Sequence, residues 1–371
     1  MTLTLDAPDA VLARPASQQT IAVIGAGNSA RALAAYLSAQ GHVVHMLVRD
    51  LSRTGSLAAT RQVRASGGVQ GTFDLQSVTT DWKAVTHCDT VFIATVTTAY
   101  GEVIRRLAPH LRAGQTLILF SSKLAGSVEA QRILDEMQAS RVAVVETDAL
   151  FACRIQPDDS VWIRGVKGWT LYSAPQAGRT VADGRQLLAF FPRLEPARNV
   201  LQRGLTDFGA LCHPTIMLAN LNTIDRKSPF RFYYEGLTDR TVCLLEQMES
   251  EFQLLARAYD TPLIDMTELL HRYYGCNRSS LLAAIQSVPN YRHSLAPDTL
   301  SHRYLLEDVP NTLVPLYELS RLAGLRTPMI DAAVNIASIV TGIDFLRTGR
   351  TLAALGLDGM SASGIVEWML A

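Results

Sequence analysis

Short apolar runs alternate with stretches of helical period through the first half of the chain. Thr20–Ile24 is mostly β-branched and apolar, as a strand covered on both faces should be. A glycine-rich break follows, then a helical pattern over 28–40 that Gly41 ends, then a second apolar run over 43–48. This predicts a βαβ crossover. Further buried strands are expected at 89–95, 115–120 and 142–146, with helices over 99–111 and 128–138. Pro109 should make the last turn of the first of these irregular. Gly67 to Gly71 reads as a surface excursion or small hairpin. Residues 160–164 and 169–174 read as a second hairpin turning at 165–168. One more helix is expected over 184–191. Strands alternating with helices, then a β-rich finish, argue for an α/β fold with a doubly wound parallel sheet and an antiparallel appendage.

The pattern changes near Val200. Helical periods run over 208–221, 237–258, 265–274, 279–286, 310–323 and 330–341, punctuated by Gly324 and Pro328. Glu246, Glu249 and Glu251 are expected on the wet side of the longest helix. At 371 residues the chain exceeds one ordinary core. The expected division is a mobile leader over 1–18, a dinucleotide-binding domain over 19–200 and a mainly α-helical substrate and catalytic domain over 201–371.

The glycine break itself carries chemistry. Gly25-x-Gly27-x-x-Ala30 follows a strand and opens a helix. Gly25 permits a tight turn, Gly27 lets backbone approach a pyrophosphate, and Ala30 lets the helix pack on the strand. Asn28 and Ser29 begin that helix, whose free N–H groups and dipole favour phosphate. The expected architecture is therefore a Rossmann fold binding a nicotinamide dinucleotide. Arg49-Asp50 closes the second strand, where such folds discriminate the adenosine ribose. An acid there would hold the 2′-OH of NADH; an arginine would hold the 2′-phosphate of NADPH. Arg49 with nearby Arg53 favours NADPH, unless both are simply solvated loop charges. Thr95, at the end of the next strand, would lie beside the nicotinamide ribose.

Charge narrows the partners. Lys+Arg and Asp+Glu each number 34, so no basic surplus attracts nucleic acid or anionic lipid. The stretch 329–343 is apolar but broken by Asp331 and Asn335 and too short for a bilayer. Late apolar helices there would serve a homodimer. Five cysteines (Cys88, Cys153, Cys212, Cys243 and Cys276) lack CxxC or metal spacing, which fits reduced thiols in a cytoplasmic enzyme without a metal. The first eighteen residues lack the basic and apolar regions of a signal peptide.

A nicotinamide enzyme must also bind the acceptor and manage a proton. His213, in the apolar setting Leu211-Cys-His-Pro-Thr-Ile-Met-Leu218, is the leading acid/base candidate; a core histidine bonded to a carbonyl is the other reading. Arg303 and Asp308 stand five residues apart among apolar neighbours and form either a structural or a functional pair. Arg303 suits a substrate carboxylate, and Asp308 would orient His213. His271, His293 and His302 read as surface or capping residues. Cys153 is the thiol best placed to face a cleft.

These residues resemble the opine dehydrogenases. The likeness rests on Gly25-Ala-Gly-Asn28, Glu146…Ala152-Cys-Arg-Ile155 with Gly165-x-Lys167, His213-Pro214, Tyr234-x-Gly236, His302-Arg-Tyr-Leu-Leu-Glu-Asp-Val-Pro310 and Thr327-Pro-x-Ile-Asp331. It implies NAD(P)H-dependent reductive condensation of an amino acid with a 2-oxo acid. By the same resemblance His213 is the proton donor and acceptor, Asp308 its partner, Arg303 the 2-oxo acid anchor, and Cys153 borders the amino-acid pocket. Two features depart from the family. The arginine after the second strand differs from NADH-using members, and the loop from Ser121 to Gly126 does not match closely. Alternatives are the metallophore-forming branch and a 2-hydroxy-acid or ketopantoate-like NADP-dependent reductase. The last lacks its lysine in a helical motif, Lys227 being the only one nearby.

Overall fold

The computed structural model describes residues 17–139 and 141–371. The leader expected over 1–18 lies almost wholly outside them; Gln18 already bonds to the Gly41 carbonyl at 2.9 Å.

The strands are β1 Thr20–Ile24, β2 Val43–Leu47, β3 Gln62–Gly67, β4 Gly71–Asp74, β5 Ser77–Thr79, β6 Thr90–Ile93, β7 Thr116–Phe120, β8 Ala143–Thr147, β9 Phe151–Ile155, β10 Val161–Val166, β11 Leu171–Ser173 and β12 Glu195–Pro196. Between them run helices α1 Asn28–Ala39, α2 Leu57–Thr60, α3 Tyr100–Leu107, α4 Gly126–Glu136 and α5 Ala177–Phe190. Eight strands form one sheet in the order β12-β11-β8-β7-β6-β1-β2-β5, and β4-β3-β10-β9 form a second. In the large sheet only the β8–β11 pairing is antiparallel. The chain leaves β1 toward β2 and β5, then returns to β6 on the other side. The crevice outside the carboxyl ends of β1 and β6 is thus the switch point where such sheets bind ligands.

Residues of β1 explain the double burial. Ile21 and Val23 join one core with Leu33, Phe92, Phe120 and Phe190. Ala22 and Ile24 join another with Ile93, Ile104 and Leu117 on the opposite face. Period two with both faces covered leaves no polar position from Ile21 to Ile24.

One hairpin differs from the expectation. Val161–Val166 pairs antiparallel with Phe151–Ile155 before it, not with 169–174 after it. Leu171–Ser173 instead returns to the large sheet beside β8. Gly165 sits at a register shift inside β10, not in a turn. The physical cause is burial: Val161, Ile163 and Phe151 share the core beneath α1, so these two strands must face it together.

After Pro196 come helices α6 Val200–Leu205, α7 Phe208–Ala219, α8 Leu221–Asp225, α9 Asp239–Ala258, α10 Met266–Tyr274, α11 Leu281–Ser287, α12 Arg303–Leu306, α13 Val314–Leu322, α14 Pro328–Thr341, α15 Phe345–Thr348, α16 Leu352–Leu355 and α17 Ala362–Leu370. They enclose a third core that includes Leu211, Ile216, Leu245, Phe252 and Leu313. Leu124 and Ala125, from the β7–α4 connection, and Val128, in the first turn of α4, belong to this core. Glu251 corrects the expected wet face of α9. It is buried at 2% exposure and accepts from the Met329 and Ile330 N–H groups, both at 2.8 Å. Its charge caps the start of α14, where Thr327 supplies no side-chain cap. Among the described residues no single helix is long and apolar enough to cross a membrane.

Candidate active site

Asp207 opens α7 by accepting from the Ala210 N–H at 3.2 Å, an N-cap. Helical side chains lean toward the N-terminus, so His213 lies over the turn that contains Gly209. A Cβ at Gly209 would stand 2.9 Å from His213 Cε1, and glycine makes the room. Asp308 lies just past the short α12, at the start of a π-helical turn at Val309–Leu313. His213 Nδ1 and Asp308 Oδ2 are 2.9 Å apart. The other ring nitrogen, Nε2, is 3.1 Å from the Tyr233 hydroxyl. Tyr304 stacks on the imidazole with ring centroids 3.7 Å apart.

Arg303 lines the same cavity. It does not pair with Asp308, and its guanidinium makes no ion pair among the described residues. The acids around it are engaged elsewhere. Glu307 accepts from the Thr97 hydroxyl at 2.8 Å, and Asp148 pairs with Lys167. Asp308 is shared between His213 and Lys123, whose Nζ is 2.5 Å from Oδ1. Lys123 also donates to Asp207 Oδ2 at 2.9 Å.

Burial lowers the His213 imidazole from its ordinary value, and the Asp308 carboxylate only partly opposes this. Burial would raise Asp308, but the charges of Lys123 and His213 override it and hold the carboxyl below its usual range. The resting pair is therefore a neutral imidazole on an ionised acid. Cys153 lines the cavity beside Ser29; burial pushes its thiol up to about 11, so it is a neutral wall group at physiological pH. His302 caps α12 by accepting from the Tyr304 N–H at 3.3 Å, and burial depresses it to about 4.

The glycine turn lies at the switch point. Gly25 has φ +124°, and a Cβ there would meet the Ala94 carbonyl at 2.9 Å. Among the described residues, nothing fills the space beside Gly27 and no side chain caps α1. Free helix N–H groups facing that space fit a dinucleotide pyrophosphate. Ala30 is fully buried against β1. Asn28 is partly engaged: its Oδ1 accepts from the Ile155 N–H at 2.9 Å, tying α1 to the small sheet. Asp50 turns back on Ser52, accepting from its N–H at 2.9 Å and its hydroxyl at 2.7 Å. Arg49 and Arg53 are exposed beside it, with no ion pair among the described residues. Thr95 is half-buried just past β6.

Asn28, Ser29, Cys153, His213, Arg303 and Asp308 thus share one cavity wall, while Gly25, Gly27, Ala30, Arg49, Arg53 and Thr95 follow the carboxyl edge of the sheet. Sequence reasoning missed Lys123, Asp207 and Tyr233. Lys123 follows β7 as Thr95 follows β6, so the carboxyl-edge argument that found one would have found the other. Asp207 was readable as an N-cap six residues before His213. Lys227 is exposed at the end of α8, away from the cavity.

Residues 20–122 match the family described as NADP oxidoreductase, coenzyme F420-dependent. Residues 196–341 match the alpha-helical domain of NAD/NADP octopine/nopaline dehydrogenase. The opine dehydrogenase of Arthrobacter sp. (strain 1C) is 32% identical over 350 residues, covering 94% of this chain and 98% of that relative. The chain belongs to the opine dehydrogenase family. This opine dehydrogenase is an NAD(P)-dependent oxidoreductase acting on CH–NH donors. It condenses an amino acid with a 2-oxo acid and reduces the resulting imine. Among solved structures, octopine dehydrogenase with NADH and L-arginine has a TM-score of 0.75 at 21% identity, covering 94% of this chain and 98% of that one. NADP+-bound yersinopine dehydrogenase has a TM-score of 0.72 at 15% identity, covering 95% and 98%. At those identities the likeness is one of fold. A metallophore-forming or ketopantoate-like activity is not better supported.

Proposed function

We propose that His213 supplies and withdraws the proton of the reaction, that Asp308 orients it, and that Arg303 anchors the 2-oxo acid. One observation carries this reading. A hydrogen-bonded imidazole–carboxylate pair and an unpaired guanidinium share a cavity wall beside the dinucleotide turn. A nicotinamide dinucleotide held by its pyrophosphate at that turn would supply the hydride. An imine accepts hydride only when protonated, so a group titrating near neutrality at its nitrogen is useful. Arg303, with no acid on it among the described residues, has its donor fork available for a carboxylate. Cys153 borders the amino-acid side of the pocket as an apolar, un-ionised contact. The cavity wall combines residues from both halves, which keeps water from the imine when substrates fill it. The domains so defined are 19–200 for the dinucleotide and 201–371 for substrate.

NADPH is the favoured cofactor. Asp50 spends its carboxylate on Ser52, while Arg49 and Arg53 are left exposed at the end of β2. The enzyme works in the cytoplasm, consistent with five free cysteines. A homodimer through the outer face of α14 is supported by exposed Ile336 and Ile339, with Ile343 just past its end; light scattering on the purified protein would show twice the chain mass.

The test is mass spectrometry of products from NADPH, an amino-acid pool and a 2-oxo-acid pool. The expected products are secondary amines carrying both carbon skeletons. Hydroxy acids alone, formed equally without amine, would overturn the reading.

A further inference from the structure

The connection from β7 to α4 holds an unusual backbone. Ser121, Lys123 and Ala125 all take left-handed conformations, at φ 76°, 61° and 57°. Such residues persist only where their surroundings over-determine them, and they cluster at functional sites. Here two buried arginines from the helical half do the holding. Arg203 donates to Ser122 Oγ at 3.1 Å and to the Lys123 carbonyl. Arg350 donates to the Ser122 and Leu124 carbonyls at 2.9 and 2.8 Å. Glu146 pairs with Arg203 and Glu129 with Arg350, each at 2.8 Å, so both guanidiniums are neutralised in place. Leu124 N–H completes the clamp on the Asn311 carbonyl of the π-helical turn at 3.1 Å. The product of all this is one placement: the Lys123 ammonium between Asp207 and Asp308.

We propose that Lys123 is a positioning residue of the reaction: reaching from the dinucleotide-binding half, it keeps the Asp308 carboxylate ionised and aimed at His213, and so sets the pH range in which His213 moves its proton. This rests on the reading of His213 as the proton carrier. The alternative is a clamp that only joins the two halves. The two differ in electrostatics. The charged and titratable groups facing the pair are Lys123 from the loop, Asp207 and Cys212 from the start of α7, Tyr233 beyond α8, and His302, Arg303 and Tyr304 around α12. Asp148 and Lys167 lie behind Asp207. Burial works against charge on Lys123, but Asp207, Asp308 and Asp148 override it and hold the amine above its ordinary value. A permanent cation there lowers His213, after burial and against Asp308. Asp207 draws part of that cation away from Asp308.

The experiment is the pH profile of kcat/KM for opine oxidation at saturating NADP+, in full-length Lys123→Met, Lys123→Arg and Asp207→Asn, alongside thermal melting. Oxidation needs neutral His213, so activity falls on the acid side as the ring protonates. Lys123→Met should move that acid limb upward by on the order of one pH unit, the scale for loss of a nearby charge. Lys123→Arg should return it to the wild-type position. Asp207→Asn, which keeps the N-cap, should move it downward. A Lys123→Met limb that stays in place while activity falls would overturn the proposal in favour of a clamp. If Lys123→Met does not fold, an unmoved limb in Asp207→Asn overturns it equally. Failure of the underlying reading is separately visible: the wild-type acid limb would then persist in His213→Asn.

Discussion

The glycine turn and the His213–Asp308–Lys123 cluster solve the placement of functional groups in opposite ways. The turn draws Gly25, Gly27 and the start of α1 from six consecutive residues, and its geometry follows from local backbone rules. The cluster draws Lys123, His213 and Asp308 from three distant segments, joined across the two halves by charge. A local site tolerates changes elsewhere in the fold. An assembled one depends on everything that sets the halves against each other, including Arg203, Arg350 and the Thr97–Glu307 bond.

The largest effect should come from the cluster. His213→Ala should lower turnover by roughly 10²–10⁴-fold, the range for losing a general acid/base, while the dissociation constant of NADPH stays as in wild type. Steady-state rates with fluorescence titration of the cofactor check both halves of the statement. Arg303→Gln should raise KM for the 2-oxo acid by about 10- to 100-fold, as expected for a charge-assisted bond of roughly 1.5–3 kcal/mol. KM for the amino acid should change far less.

The turn can be probed without touching the cluster. Gly27→Ala meets only open space, so its melting temperature should match wild type. Its cofactor affinity should drop by on the order of tenfold, about 1.4 kcal/mol, because the added methyl occupies the pyrophosphate approach. Gly25→Ala differs: its Cβ strikes the Ala94 carbonyl at a φ of +124°. It should lose stability as well as affinity, by about 1–3 kcal/mol for the strained backbone.

The smallest effect is the pH response of the unmodified enzyme. Folding lowers His213 from its ordinary value of 6.5. The unfolded chain therefore binds more protons in that window, and stability from this group is full above about 6.5 and lost as pH falls through the folded value. The same sign applies to catalysis: kcat/KM for opine oxidation should hold its plateau below pH 6.5 before declining. A midpoint above 6.5 would show that Asp308, not burial, dominates the imidazole.

The contrast also explains what could be read without coordinates. The parallel sheet and its glycine turn were legible because apolar runs, Gly25 and the start of α1 declare themselves within a few residues. His213, Arg303 and Asp308 were legible as types in apolar settings, and Asp308 as the partner of His213; the pairing of Arg303 with Asp308 that their spacing suggested does not form. The partners of Asp308 come from residues 95 and 185 positions earlier, which no spacing rule spans. The misplaced hairpin has the same origin. Val161 and Ile163 chose Phe151–Ile155 because all face the core under α1, a tertiary fact. Glu251 looked solvated by period and is buried because a distant helix start needed an acceptor.

If His213 carries the proton and Asp308 orients it, the two act as one unit. A double-mutant cycle in kcat/KM with His213→Ala, Asp308→Asn and both together measures this directly. The double variant should be no slower than His213→Ala alone, since in this reading Asp308 works only through the imidazole. Losses that multiply, each residue acting independently of the other, would contradict it.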